Sequence, residues 1–138
     1  MGMYSHHHTK KWAATIAAYD GFVFVTPEYN HGTTGVLKNA IDYLYAEWNN
    51  KSAGFVSYGS AGGVRAVEQL RLVMGELQVA DVRQQVQFSL FRDFEDFSTF
   101  VPGPQHEATA STMFDQVVAW AQALTPVRDA AARQPLAA

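Results

Sequence analysis

The stretch "GFVFVTPEYNHGTTGVLKNAIDYL", residues 21–44, decides the fold. Its first five residues are apolar on both alternating faces, the pattern of a strand covered by helices above and below. A turn-rich segment follows. Then Leu37, Ala40, Ile41, Leu44 and Trp48 recur at three-and-four spacing, which predicts a helix over 35–48. Strand, loop and helix in this order form half of a parallel βαβ unit, and its loop lies at the carboxyl end of the strand, where α/β proteins place ligands.

The same grammar repeats outward in both directions. "AGFVSY" (53–58) is a second buried strand, "GSAGG" breaks it, and Val67, Leu70, Met74 and Leu77 mark the inner face of a long helix. Upstream, Thr9 is a plausible N-cap for a helix over 9–19, with Trp12, Ile16 and Tyr19 as its buried stripe. Downstream, "VRQQVQFSL" (82–90) alternates Val82, Val86, Phe88 and Leu90 with polar residues, Gln84 breaking the inner row, which suits a sheet-edge strand. A loop over 91–106 and a helix over 107–124 complete one α/β domain, 1–138. Residues 1–8 are expected to be mobile, and the Ala-rich tail, 126–138, to fray.

Only three strands are visible. "GFVFV" reads as a central strand yet has a sequence neighbour on one side only, and an unpaired apolar edge is a liability. The expectation is that a strand precedes Met1 in the intact protein or that another subunit fills the edge.

The 138 residues are 48% hydrophobic, enough for a real core. Charged residues make up 17%, the formal net charge is -3, and no basic cluster exceeds Lys10-Lys11, so there is no electrostatic case for nucleic acid or an anionic membrane. No apolar run approaches a spanning helix, and no signal peptide is evident, which points to a cytoplasmic protein. The absence of Cys excludes disulfides, thiolate metal sites and cysteine nucleophiles. With nine Phe, six Tyr and three Trp, some rings are expected to face a ligand or a second subunit. Tyr43, Tyr45 and Trp48 widen the apolar face of their helix and favour a dimer contact. The rings of "FSLFRDFEDFSTF" (88–100), interrupted by acidic residues, read as an irregular segment covering a partner or walling a pocket. "SHHH" (5–8) reads as a tag fragment or mobile terminus rather than a metal site.

The loops carry the chemistry. In "TPEYNHGTTG" (26–35), Pro27 stiffens the strand exit, and Gly32 and Gly35 allow positive φ. Tyr29 offers a ring for stacking, while Asn30 offers a donor and an acceptor. This set suits a flat heteroaromatic ring with polar edges, or equally an ordinary turn in which Asn30 and Thr33 or Thr34 cap. His31 could touch such a ring or bond within its own loop. "SYGSAGGVRA" (57–66) is a glycine-rich turn onto a helix, matching neither a phosphate loop nor a clean dinucleotide fingerprint. Arg65 could meet a phosphate, or form a salt bridge.

Together, "TPEYNHGTTGVLKNAIDYL" and "SYGSAGGVRAVEQLRLVMGEL" closely resemble the NAD(P)H-dependent FMN reductases, which include quinone, azo-compound and chromate reductases. The resemblance runs over about residues 4–124. It implies a flavodoxin-like, three-layer α/β/α fold with a parallel sheet. It implies that Pro27, Glu28, Tyr29, Asn30, His31 and Gly32 lie along the flavin ring, and that Ser60, Ala61, Gly62 and Gly63 lie beside its pyrimidine edge and the nicotinamide. FMN and NAD(P)H are the implied cofactors, a small-molecule electron acceptor the partner, and a homo-oligomer (dimer or tetramer) the assembly. The flavin carries the chemistry, so no catalytic side chain and no metal is expected. Members of the family begin with a strand and a Ser/Arg loop that binds the FMN phosphate, then a helix and a second strand. Here that part is lacking, so the chain is expected to be N-terminally truncated, with weakened FMN binding. The alternatives are a non-catalytic remnant or an interaction module of the same fold.

Overall fold

Strands form where apolar residues alternate or run together, and helices where they recur every three or four positions. The computed structural model describes residues 2–133. In chain order the elements are α1 (His7–Ala17), β1 (Gly21–Pro27), α2 (Gly35–Asp42), a 3-10 turn (Ala46–Trp48), β2 (Ser52–Gly59), α3 (Val64–Glu76), β3 (Ala80–Ser89), the short strands β4 (Phe94–Glu95) and β5 (Thr99–Phe100), α4 (Gln105–Ala123) and α5 (Thr125–Arg133).

β1, β2 and β3 form a parallel sheet in that order, with Phe24 opposite Phe55 and Val56 opposite Val86. On one face Phe24, Ala53 and Phe55 pack with Ile16 of α1, Ile41 of α2 and Val67, Leu70 and Met74 of α3. On the other, Val82 and Val86 pack beneath Met113 and Val117 of α4. Helices therefore lie on both faces of the sheet. β2 is the central strand, covered above and below.

β1 departs from the expectation. Its Phe24 side is covered, but α4 lies over β2 and β3, leaving Val23 half exposed and Val25 60% exposed. In the described sheet β1 has one neighbour, β2, the single visible partner that the sequence implied. At the opposite edge, β3 holds a bulge. Ala53 faces Asp81 while Phe55 faces Gln85, and the Gln84 amide, displaced from the ladder, donates to Gln116 Oε1 at 3.1 Å. This is the physical reason Gln84 interrupts the inner row.

Other corrections follow from tertiary contacts. α1 stops at Ala17, where Lys51 Nζ donates to the Ile16 carbonyl at 2.6 Å, so Tyr19 is exposed instead of joining the buried stripe. α2 ends six residues before Trp48. The Trp48 indole N–H takes the Ile41 carbonyl at 3.1 Å, and the 3-10 turn drives the ring into the core, 1% exposed. Trp48 meets Trp12, Phe22 and Phe24 there, so it is a core residue and not a dimer contact.

The aromatic segment expected to be irregular holds the β4–β5 hairpin, closed by Phe94–Phe100 and Phe88–Phe100 ring contacts of 5.2 and 4.8 Å. Within the stretch expected to be mobile, Tyr4 donates to Glu47 Oε2 at 2.8 Å, and His7 and His8 begin α1. Within the stretch expected to fray, residues 126–133 belong to α5. Pro126 lies in its first turn, where a missing N–H costs nothing. Arg128 anchors it, donating to the carbonyls of Asn50 and Ala121 at 3.0 Å and pairing with Asp20 at 3.1 Å. Residues 134–138 lie outside the described residues. Among those described, no helix is long and apolar enough to cross a membrane.

Candidate functional site

Parallel pairing of β1 with β2 brings the loop after each strand to the same rim of the sheet. Pro27 is level with Tyr58, and the Glu28 amide donates to the Tyr58 carbonyl at 3.0 Å. The first loop then turns back on itself. Tyr29 and Gly32 exchange backbone hydrogen bonds of 2.9 and 3.0 Å around Asn30 and His31, both at positive φ (50° and 66°). That is the signature of a primed two-residue turn, which Asn tolerates well. Positive φ therefore falls on Asn30 and His31, and not on Gly32 or Gly35 as the sequence suggests. Gly32 instead admits the Gln69 side chain, whose oxygen would lie 2.9 Å from an added Cβ.

The turn holds the Tyr29 ring 65% exposed at the rim, free to meet a flat ligand. Behind it, Thr26 and Thr33 share a hydroxyl–hydroxyl bond of 2.8 Å, and Thr34 caps α2 by accepting from the Leu37 amide at 3.1 Å. The capping alternative is thus realised at Thr34, while Asn30 occupies the turn.

The second loop, after β2, places Ser60 and Ala61 at the surface and Gly62 and Gly63 beneath them. Both glycines have positive φ, 73° and 75°. A Cβ on Gly63 would come within 2.6 Å of Ser57 Cβ and 2.9 Å of the Tyr58 amide nitrogen, so only glycine fits. Ser57 Oγ donates to the Gly62 carbonyl at 2.6 Å, fixing the loop from below.

Glu28 and Arg65 join the two loops. The Glu28 side chain is buried, its Oε2 accepts from the Arg65 amide at 3.0 Å, and its Oε1 pairs with the Arg65 guanidinium. Burial by itself pushes the Glu28 carboxyl up. The Arg65 guanidinium and the first amides of α3, from Arg65 and Ala66, more than offset it and hold the group below its usual range. Arg65 Nη1 also lies 2.8 Å from His31 Nε2, and Gln69 donates to the His31 carbonyl at 2.7 Å. Arg65 thus makes an intramolecular salt bridge.

The ten residues singled out from sequence thus lie in two neighbouring loops. Pro27, Glu28, Tyr29, Asn30, His31 and Gly32 lie in the first, and Ser60, Ala61, Gly62 and Gly63 in the second. Glu28 is turned inward, and its carboxylate is engaged by the brace. Sequence reasoning missed the roles of Gln69, Thr26 and Ser57. No local pattern marks them, because Gln69 and His31 lie 38 positions apart and meet only through the sheet.

The arrangement can support a flat ring. It offers one exposed aromatic, a rigid glycine turn that lets a ligand approach the backbone, and two loops fixed to each other. It fits FMN at the ring. The nearby cation, Arg65, is already held by Glu28 and His31, so it is not a ready phosphate partner.

Residues 2–93 match the family described as NADPH-dependent FMN reductase. An NAD(P)H-dependent FMN reductase of Schizosaccharomyces pombe is 52% identical over 77 residues, 56% of this chain and 38% of that protein. Another, from a Nectria species, is 44% identical over 97 residues, 67% of this chain and 48% of that protein. The chain therefore spans less than half the length of these two relatives. Among solved structures, the flavoenzyme NAD(P)H:(acceptor) oxidoreductase of Paracoccus denitrificans shares the fold, with a TM-score of 0.60 at 21% identity, over 87% of this chain and 69% of that one.

Proposed function

The chain belongs to the NADPH-dependent FMN reductase family, and from that premise we propose that it is the ring-binding part of an NAD(P)H-dependent oxidoreductase. Bound FMN would take hydride from the nicotinamide and hand electrons to a small-molecule acceptor. The chain's own residues hold and orient. Tyr29 stacks, and Pro27, Asn30, His31 and Gly32 shape the first loop. Ser60, Ala61, Gly62 and Gly63 let the ring's edge approach the backbone. Glu28 keeps the two loops in one geometry through Arg65. No side chain of the two loops acts as the catalytic acid or base.

The observation that carries this reading is the brace between the loops, because a stacking surface and a hydrogen-bonding edge bind one ring only if their separation is fixed. The exposed apolar side chains of Val36 and Tyr43 (α2 and its end) and Leu72 (α3) favour a homo-oligomer, a dimer or tetramer. A cytoplasmic location accompanies this reading.

Titrating FMN with the protein tests it. Quenched flavin fluorescence, and NAD(P)H oxidation that depends on added FMN and protein, are expected. Unquenched FMN at protein concentrations of hundreds of micromolar, with no such oxidation, would refute the reading in favour of a non-catalytic remnant.

A further inference from the structure

A guanidinium has no lone pair and can only donate. In the 2.8 Å contact between Arg65 Nη1 and His31 Nε2, the imidazole is therefore the acceptor. That fixes the state of the ring. Nε2 carries no proton, the ring proton sits on Nδ1, and His31 is neutral. Among the described residues, Arg65 Nε is buried without a hydrogen-bond partner. Glu28 on one side and His31 on the other hold the guanidinium between them.

The turn that carries His31 depends on such contacts. His31 stands at φ 66° beside Asn30 at 50°, and positions of this kind persist where the surroundings over-determine them. Here the Tyr29–Gly32 exchange closes the turn, Gln69 of α3 takes the His31 carbonyl at 2.7 Å, and Arg65 takes the ring. Gln69 is uncharged. The Glu28 carboxylate acts on His31 through Arg65, since both its oxygens are engaged there. Glu68, further along α3, pairs with Arg71 at 3.6 Å. His31 itself is exposed, so protons reach it from solvent.

We propose that His31 is a positioning residue of the rim, and that a proton on its Nε2 releases the first loop and weakens ring binding. The inference rests on the flavin reading for its functional consequence. An imidazolium has no lone pair left, so protonation replaces the bond to Arg65 with two cations side by side. Glu28 does not titrate along with it. Its carboxyl is held below its usual range, so it stays a carboxylate bound to Arg65 over the interval, about pH 5 to 8, in which histidine changes charge. The second loop and α3 therefore keep their place, and the turn that presents Tyr29 is what lets go. Mild acid opens the rim without unfolding the chain.

The test uses lumiflavin, which carries the flavin ring without a phosphate and so does not change charge over this interval. Ring ¹⁵N shifts of the free protein at about pH 7.5 are expected to show the Nδ1–H tautomer at His31. Lumiflavin binding, followed by fluorescence quenching, should weaken by about fivefold or more between about pH 7.5 and 5.5 in the wild type. His31→Gln, whose amide oxygen accepts from Arg65 at either pH, should change by less than about twofold and bind more tightly than His31→Ala at both. A proton on Nε2 at the higher pH overturns the proposal. So does a wild-type pH dependence that survives in His31→Gln, which would assign the effect to His6, His7 or His8 of the N-terminal segment or to His106. That last residue lies 2.7 Å from Asp93 at the base of the β4–β5 hairpin, where the Val101 amide donates to the Asp93 carbonyl at 2.9 Å. Lumiflavin left unquenched by the wild type at the higher pH sinks the ring reading alone. The release is then read from ¹⁵N relaxation at the Tyr29 and Gly32 amides, which should gain motion on acidification in the wild type and not in His31→Gln; equal motion at both pH values in the wild type overturns it.

Discussion

Replacing Arg65 with Met should leave the buried Glu28 carboxylate without its cationic partner. Glu28's side chain is 5% exposed and Arg65's is 41% exposed. Breaking a fully buried pair by removing one partner costs about 3–5 kcal/mol, while exposed pairs are worth about 0–1 kcal/mol. The half-open position of Arg65, and the amides of Arg65 and Ala66 that still face the carboxylate, place the expected loss between these limits, at about 1.5–3 kcal/mol. The pH dependence gives a sharper signature. In the wild type the Glu28 carboxyl is held below its ordinary value, 4.5. Its stabilisation is therefore complete above that value and is lost as pH falls through the lower, folded one. Without Arg65, burial is left as the largest influence and pushes the carboxyl upward. The variant's carboxyl therefore lies above the wild type's, so the wild type's advantage is greatest at neutral pH and shrinks as pH falls through the two folded values. Urea unfolding followed by circular dichroism, at several pH values from 7 down to 4.5, measures both curves. The gap between wild type and Arg65→Met should narrow steadily on acidification. A gap below about 0.5 kcal/mol at pH 7, or one that does not change with pH, refutes the reasoning. A Glu28→Gln, Arg65→Met double variant should lose less than the sum of the two singles, by about 1 kcal/mol or more.

Gly63→Ala should destabilise by about 1–3 kcal/mol, since positive φ and the contact with Ser57 combine, and should weaken FMN quenching more than its stability loss explains. Trp48→Ala should cost about 3–5 kcal/mol in the same unfolding assay, because it empties the contact between Trp12, Phe22 and Phe24 and leaves the Ile41 carbonyl without its indole partner. Asp93→Asn should loosen the base of the hairpin. Burial alone raises the Asp93 carboxyl, but the His106 bond and the Ser89 amide hold it below its usual range, so the wild type loses this contribution as pH falls below about 4, while the Asn variant shows no such loss. Faster amide exchange at Ser89 and Val101 in Asp93→Asn checks the placement.

What was legible in the sequence was whatever depends on near neighbours. The alternation in "GFVFV" and the three-and-four spacing after Gly35 and Gly63 gave β1, α2 and α3 their type and approximate position. The glycine-rich turn after β2 was legible as such, but positive φ, expected at Gly32 and Gly35, falls on Asn30, His31, Gly62 and Gly63. What was not legible depends on partners far along the chain. Trp48 continues the helical spacing of α2 perfectly, yet its indole takes the Ile41 carbonyl and ends the helix. Gln84 merely looks like a flaw in an alternating strand until Gln116 of α4 receives its displaced amide. Phe94 and Phe100 are ordinary members of a ring-rich segment until a turn at Asp96 and Phe97 sets them opposite each other.

The same division runs through the site itself and explains its design. Tyr29 and Gly63 are residues whose type announces what they can do, and local pattern finds them. Glu28 is recognisable only as a carboxylate near a candidate ligand, where its obvious role would be contact with that ligand. Its neighbour in space is Arg65, 37 positions away, and the two are brought together by the parallel pairing of β1 with β2. The resulting bonds reach α3's first amides, His31's turn lies on the same guanidinium, and Gln69 holds that turn from one helical turn further along. Each loop on its own is an ordinary strand-to-helix connection. Joined through Glu28 and Arg65, they become two sides of one rigid rim, and rigidity across the rim is the property a stacked, edge-bonded ring requires.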